Sequence, residues 1–397
     1  MTALIWFGFF FSLGLLILIA RKSLWLGLVI ASYVLGLFSF SFKELWHQTF
    51  ITLTDPSILL LALAVGIIPI IGGAMERGGL MDILVNNLRM KRKSFMAFAS
   101  AFIGLLPIPG GALLSAPLID RGGETVPNRT KTAINVWFRH VFLLIYPLGA
   151  LLATTSMANL NLYSVILYLV PGFTVMMLLG YLLFLKGIKG NNSEQVRINR
   201  KKLAIPITVI ILAPFMHFTL TMIFKNIIQE IPLVIGVSLS LILAFYFGHL
   251  GWEDFRAICQ KMKPWNFALL ILGMFLFLHI FKASETSRVI AEASFSKVFL
   301  IVGMGALLGF TTGRVNVPIS ILLPIYFAQY GPRAMTPLVF AVMFFAVYQG
   351  YIISPVHPCV LVTLEFFNTE LRDFYKLLAL PGLIGIGIAW IVGMSLF

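Results

Sequence analysis

Apolar runs, each closed by a charged or Pro/Gly-rich break, follow one another from end to end of this chain. By length and composition they predict spans near 3–20, 24–42, 57–75, 132–157 and 162–185, then near 203–224, 232–248, 265–281, 336–364 and 376–396. Each suffices to cross a hydrocarbon core of roughly 30 Å as a helix. Between the third and fourth span of each set lies a segment that is apolar but broken in its middle, 95–120 and 297–328. In the first, Leu106-Pro107-Ile108-Pro109-Gly110-Gly111 sets prolines and glycines where a continuous helix needs N–H donors and helix-forming residues. Each broken segment is expected to be a re-entrant hairpin, because irregular backbone survives at membrane depth only against protein or a watery cavity.

The order of features repeats. Two spans and a third are followed by an amphipathic charged stretch (Glu76–Lys93, then Lys282–Lys297), a hairpin, a polar-interrupted fourth span and a fifth. Gly104-Leu105-Leu106-Pro107 is locally similar to Gly309-Phe310-Thr311-Thr312, and Ile145-Tyr146-Pro147-Leu148-Gly149 to Val347-Tyr348-Gln349-Gly350-Tyr351. An odd number of crossings in each half inserts the second half upside down. The sequence therefore predicts an all-α polytopic membrane protein of about ten transmembrane helices plus two re-entrant hairpins in two inverted-topology repeats. Repeat one covers 1–190 with hairpin 95–120, the linker is 191–202, and repeat two covers 203–397 with hairpin 297–328.

Composition agrees: 59% of residues are hydrophobic and 11% charged, a balance no soluble fold needs. The first apolar run lacks a preceding basic residue and has Arg21 and Lys22 after it, the reverse of a secretory leader, so it reads as the first span. A net charge of +14 suggests nucleic acid in a soluble protein, but here the loops carry it and it reports topology. With the N-terminus outside, the cytoplasmic side receives Arg21 and Lys22, Arg77, the 89–93 cluster, Arg121, Arg129, Lys131, the 186–202 stretch, Arg256, Lys261, Lys263, Arg372 and Lys376. The other side receives only Lys43, Lys225, Lys282, Arg288, Lys297 and Arg333. That asymmetry predicts a multi-pass cell (inner) membrane protein with both termini extracytoplasmic, a first hairpin opening inward and a second opening outward. Cys259 and Cys359 are too few and too far apart for a disulfide framework or a metal cluster, and no role is expected of them.

Leu106-Pro107-Ile108-Pro109-Gly110-Gly111-Ala112 and Ser354-Pro355-Val356-His357-Pro358, with the repeat plan over nearly the whole chain, resemble the ion transporter superfamily of gluconate, citrate and dicarboxylate carriers and some cation antiporters. The nearest resemblance is to its integral-membrane branch known as domain of unknown function 401. The resemblance implies a homodimeric, elevator-type carrier in which hairpin tips and interrupted helices form a substrate and cation site on a mobile domain. The chain departs from the dicarboxylate carriers in having no Ser-Asn-Thr at either tip.

Arg314, within Thr311-Thr312-Gly313-Arg314-Val315-Asn316, is the most informative residue. A charge at membrane depth costs about 2.5–3.5 kcal/mol on insertion scales, so it faces a cavity or a partner, and its planar fork suits a carboxylate or phosphate. The alternative is an arginine snorkelling to the surface. Pro109, Gly110 and Gly111 offer backbone groups and close approach at the first tip. Tyr348, Gln349, Ser354 and His357 stand beside the second interrupted span, where proline frees carbonyls. With Thr312, Arg314 and Asn316 these form the expected substrate site. Pro107, Tyr146, Thr154, Thr155, Thr311 and Gly313 form the expected coupling-ion site, for Na⁺ or H⁺ and no other metal. Kinks that only shape packing, or turns that only cap, explain the same prolines, glycines and hydroxyls. Arg139 and His140 lie about one to two turns into the fourth span from the cytoplasmic side, where Arg139 is read as snorkelling, and His217 and His279 are read as helix–helix hydrogen-bond partners.

No Asp or Glu falls in the middle of a span, which argues against a carboxylate proton relay. H-E-x-x-H, G-x-S-x-G and paired intramembrane aspartates are all missing, which disfavours an intramembrane enzyme. A channel is disfavoured by broken helices in pseudo-symmetric halves. The expectation is a non-enzymatic secondary transporter, a cation-coupled carrier of a small organic anion, with a cation/proton antiporter of the same fold as the alternative. Its partners are the lipid bilayer, the anionic solute and a second copy of the chain; no organic cofactor and no nucleic acid are expected.

Overall fold

A computed structural model describes residues 2–87, 91–105, 111–123, 125–188, 200–224, 227–293 and 295–397. The fold is all-helical, and seven helices are long and apolar enough to cross a membrane: Ala3–Ala20, Pro56–Arg77, Leu162–Leu185, Leu203–Ile223, Glu230–Phe247, Pro264–Ala283 and Leu371–Leu396. Shorter apolar helices accompany them, among them Leu24–Leu37, Phe299–Thr312, Pro337–Ile352 and Pro358–Phe367.

The element order recurs in the two halves. After the first two apolar helices of each half come Phe42–Thr54 in the first and Trp252–Met262 in the second. Neither appears in the sequence reading, which ran the second span to residue 42 and left no helix near 252–262. Both are short and mix charged with apolar positions, so a hydropathy window passes over them. A capping box on Ser41 and Glu44 starts the first, and Asp55 then caps Pro56–Arg77 through the N–H groups of Ser57 (2.8 Å) and Ile58 (3.3 Å).

Each predicted hairpin segment is a pair of packed helices, Arg92–Leu105 with Gly111–Gly122 and Phe299–Thr312 with Asn316–Tyr330. The second pair turns in three residues because Gly313 takes a left-handed φ of 59°, which a side chain would resist. The fourth span is interrupted in both halves, by 145–149 between Phe142–Leu144 and Ala150–Met157, and by 353–357 between Pro337–Ile352 and Pro358–Phe367. Both breaks fall inside the fourth spans, 132–157 and 336–364, which the sequence predicts to be polar-interrupted. Leu371–Leu396 starts five residues before the predicted 376.

Close approaches set the correspondence between halves. A Cβ on Gly104 would stand 1.8 Å from the Arg139 carbonyl oxygen, and one on Gly309 would stand 2.2 Å from that of Val347. Gly104 therefore corresponds to Gly309 as expected, but Arg139 corresponds to Val347. That register aligns Ile145-Tyr146-Pro147-Leu148-Gly149 with Ile353-Ser354-Pro355-Val356-His357 and corrects the similarity to Val347–Tyr351, which lies a turn and a half earlier inside a regular helix.

The helices sort into two packed groups. Thr2–Ala20, Leu24–Leu37, Pro56–Arg77, Arg200–Ile223, Glu230–Phe247, Trp252–Met262 and Pro264–Ala283 pack among themselves. The two helix pairs, the interrupted helices, Leu162–Gly180 and Leu371–Leu396 form the other group. The groups meet where Pro264–Ala283 lies against Asn316–Tyr330 and Ala150–Met157, and where Thr2–Ala20 touches Asn316–Tyr330.

Candidate functional site

At that junction lies a cavity of about 430 Å³. Leu24, Val65, Ile68, Phe267 and Leu270 of the first group close one side. The second group contributes Gly104 and Leu105 at the end of the first helix pair, Leu148, Gly149 and Ala150 at the first break, Gly313 to Asn316 at the turn of the second pair, and Tyr351, His357, Pro358 and Cys359 at the second break. Both helix pairs and both breaks thus deliver residues to one chamber. Its wall is largely apolar with a few convergent polar groups, the usual composition of a small-molecule site.

Arg314 is the cationic side chain of that wall. Its guanidinium is half-buried and makes no ion pair or hydrogen bond among the described residues. Two residues on, Asn316 Oδ1 is buried without a hydrogen-bond partner. A cation and an amide without partners, on the wall of one chamber, leave hydrogen-bonding capacity that a solute can satisfy.

His140 and His357 meet across the halves, with Nε2 atoms 3.2 Å apart and rings nearly perpendicular at 4.7 Å between centroids. The other nitrogen of each ring faces a backbone carbonyl: His140 Nδ1 that of Val136 (2.6 Å), His357 Nδ1 that of Gly313 (3.3 Å). Tyr351 packs on His357 at 4.3 Å between centroids. Cys359 follows two residues later, and its sulfur and one nitrogen of each imidazole all lie within 4.8 Å of one another. Sequence reasoning gave Cys359 no role and placed His140 at the cytoplasmic side. Only the His357-Pro358-Cys359 spacing carried a signal, because the partner histidine is 217 residues away.

Of the expected substrate residues, Arg314, Asn316 and His357 line the cavity, and Gly313 of the expected ion site joins them. Pro107, Pro109 and Gly110 lie outside the described residues. The carbonyl of Gly111 accepts a hydrogen bond from Arg139 Nη1 at 2.9 Å, so the backbone oxygen expected to meet a ligand is occupied. Arg139 itself is 5% exposed, which corrects the snorkelling reading: its partner is the first helix pair.

The remaining expected residues are turned to packing. Gln349 donates to Met176 Sδ at 3.0 Å and fills the space over Gly385, because it points about 200° around the helix from Tyr351, which does reach the chamber. Tyr348 is fully buried off the cavity wall. Ser354 Oγ donates to Phe310 O at 2.5 Å and accepts from Val356 N, which stabilises the second break. Thr154, Thr155, Thr311 and Thr312 each donate to carbonyls three or four residues back in their own helices. Tyr146 reaches Ile210 O at 3.4 Å. His217 bonds Tyr163 and His279 bonds Thr52, each at 2.9 Å, the helix–helix role expected of them.

The model of a family described as "Protein of unknown function (DUF401)" matches residues 5–395. No curated protein matches the chain. Among solved structures, the fold is similar to that of the Alcanivorax borkumensis YdaH transporter, described as having an unusual topology. The TM-score is 0.57 at 13% identity, over 93% of this chain and 95% of that one. MtrF of Neisseria gonorrhoeae, described with a class of antimetabolite efflux pumps, gives a TM-score of 0.49 at 14% identity, over 88% of this chain and 82% of that one.

Proposed function

We propose that this chain, which belongs to the DUF401 family, is a secondary transporter of the cell (inner) membrane that carries a small organic anion, coupled to Na⁺ or H⁺, by an elevator mechanism. The observation that carries the reading is the chamber between two separately packed helical groups, with Arg314 unpaired on its wall. The group holding both helix pairs and both breaks is the mobile body, and the group of Pro56–Arg77 and Pro264–Ala283 is the scaffold. The likeness of fold to a protein described as a transporter supports the class, and the sequence resemblance to the ion transporter superfamily supports the coupling and a homodimeric assembly. The two halves are inverted repeats, with the helix pairs re-entrant from opposite sides and both termini extracytoplasmic.

A solute carboxylate supplies the charge Arg314 lacks. The guanidinium binds it with two parallel N–H donors, and the amide of Asn316 orients it. A cation antiporter is less well supported, since among the described residues no Asp or Glu is buried to exchange cations.

Thermal unfolding of the purified protein against a panel of organic anions, with and without Na⁺, tests the reading, since a ligand of the native state raises its midpoint. A stabilising anion whose effect grows with Na⁺ or with falling pH is the expected result. Stabilisation by cations alone would favour the antiporter.

A further inference from the structure

We propose that His140, His357 and Cys359 form a site for one zinc-class cation, with three protein ligands and a fourth position open to the cavity. The site does not rest on the anion reading and stands or falls separately from it.

The argument begins with the tautomers. A carbonyl oxygen only accepts, so the contacts of His140 Nδ1 with Val136 O and of His357 Nδ1 with Gly313 O put a proton on each Nδ1. Both Nε2 atoms then present lone pairs, and they face each other at 3.2 Å. Two lone pairs at that distance repel unless a proton or a metal ion lies between them. Zn–N bonds of about 2.0–2.1 Å at a tetrahedral angle set two ligating nitrogens about 3.3 Å apart, close to the separation here. Backbone-bonded Nδ1 with free Nε2 is also the usual arrangement of a metal-ligating histidine, in which the outer hydrogen bond fixes the ring.

Cys359 completes the set. Its sulfur lies within 4.8 Å of both ring nitrogens, a spacing that closes to the Zn–S and Zn–N distances by a small side-chain movement. Two imidazoles and one thiolate favour Zn²⁺ over Na⁺, Mg²⁺ or Ca²⁺, which prefer oxygen ligands. His357 and Cys359 line the chamber, so the fourth position faces it. Zn²⁺ bound by a single thiolate keeps a net positive charge, and the His357–Gly313 hydrogen bond ties the site to the residue before Arg314. The cation is therefore placed to take a donor atom from whatever occupies the chamber.

The test is equilibrium dialysis of the tag-free full chain in detergent against Zn²⁺, with bound metal measured by mass spectrometry. One Zn²⁺ per chain is expected for the parent. Loss of an outer hydrogen bond alone typically weakens metal binding ~10–100-fold, so loss of a ligand in His357→Gln or Cys359→Ser is expected to weaken it at least about 100-fold. Both variants are checked for a single symmetric gel-filtration peak. Co²⁺ gives a second readout on the parent itself: a thiolate-to-cobalt charge-transfer band in the near ultraviolet, absent in Cys359→Ser. Arg314→Ala should bind Zn²⁺ as the parent does, which separates this site from the anion site. Failure of the parent to bind Zn²⁺ saturably, a cobalt adduct without the thiolate band, or unchanged affinity in both ligand variants overturns the proposal.

Discussion

Arg139 holds both arms of the first helix pair: its carbonyl oxygen occupies the space where a Gly104 side chain would begin, and its Nη1 donates to Gly111 O at 2.9 Å. A Cβ on Gly104 would stand 1.8 Å from that oxygen, and one on Gly111 would stand 2.1 Å from Nη2. The first obstacle is backbone and cannot yield; the second is a side chain and can turn aside. Gly104→Ala is therefore predicted to cost about 1–3 kcal/mol, the usual range for an overpacked interior. Gly111→Ala should cost less, and Gly387→Ala, which meets nothing within 4 Å, should be near neutral. Thermal unfolding midpoints in one detergent rank the three variants. A Gly104→Ala midpoint equal to that of Gly387→Ala would contradict the close approach.

The group of Pro56–Arg77 and Pro264–Ala283 carries two ion pairs between the halves of the chain, Arg77 with Asp254 (2.5 Å) and Lys261 with Glu76 (2.7 Å). Both cations are exposed and both carboxylates partly so, and each pair is expected to contribute little. The Asp254 carboxyl is held below its usual range, first by the Gly251 N–H and then by Arg77. A lowered folded pKa means that its contribution is present above the ordinary carboxylate pKa and is lost as pH falls through the lowered value. At neutral pH Asp254→Asn should lower the unfolding midpoint slightly, and the gap from the parent should close in acid. A gap that widens in acid would reverse the sign of this account.

Orientation is the third expectation. In a background without Cys259 and Cys359, single cysteines in 121–131 and 187–202 should resist an impermeant thiol reagent applied from outside, while those in 282–297 and 329–335 should react. External labelling at 187–202 would refute the inverted arrangement.

How much of this was legible in the sequence depended on contrast. Polar residues inside apolar runs stood out, and Gly313, Arg314, Asn316 and His357 do line the chamber. Leu105, Leu148 and Gly149 line it too, yet nothing distinguishes them from lipid-facing neighbours in the same runs. Helical phase was the second obstacle. Tyr351 reaches the chamber and Gln349 does not, a distinction set by how Pro337–Ile352 packs against Leu162–Gly180 and Leu371–Leu396. Pairings between the halves were out of reach altogether, since the contacts of Arg139 with Gly111 and of His140 with His357 need the tertiary fold. The long spans were read well because a hydrocarbon-length apolar run has few alternative explanations, whereas Phe42–Thr54 and Trp252–Met262 have no such signature.

The central claim is that Arg314 neutralises a transported anion in the chamber between the two helical groups. Uptake of an anion found to stabilise the protein, measured in proteoliposomes for the parent, Arg314→Lys and Arg314→Ala, tests it most directly. Arg314→Lys keeps the charge but loses the planar fork, so it should transport with weakened apparent affinity; Arg314→Ala should reconstitute normally and transport nothing above empty vesicles. Transport by Arg314→Ala at the parent's rate and apparent affinity would show that the guanidinium does not bind the anion.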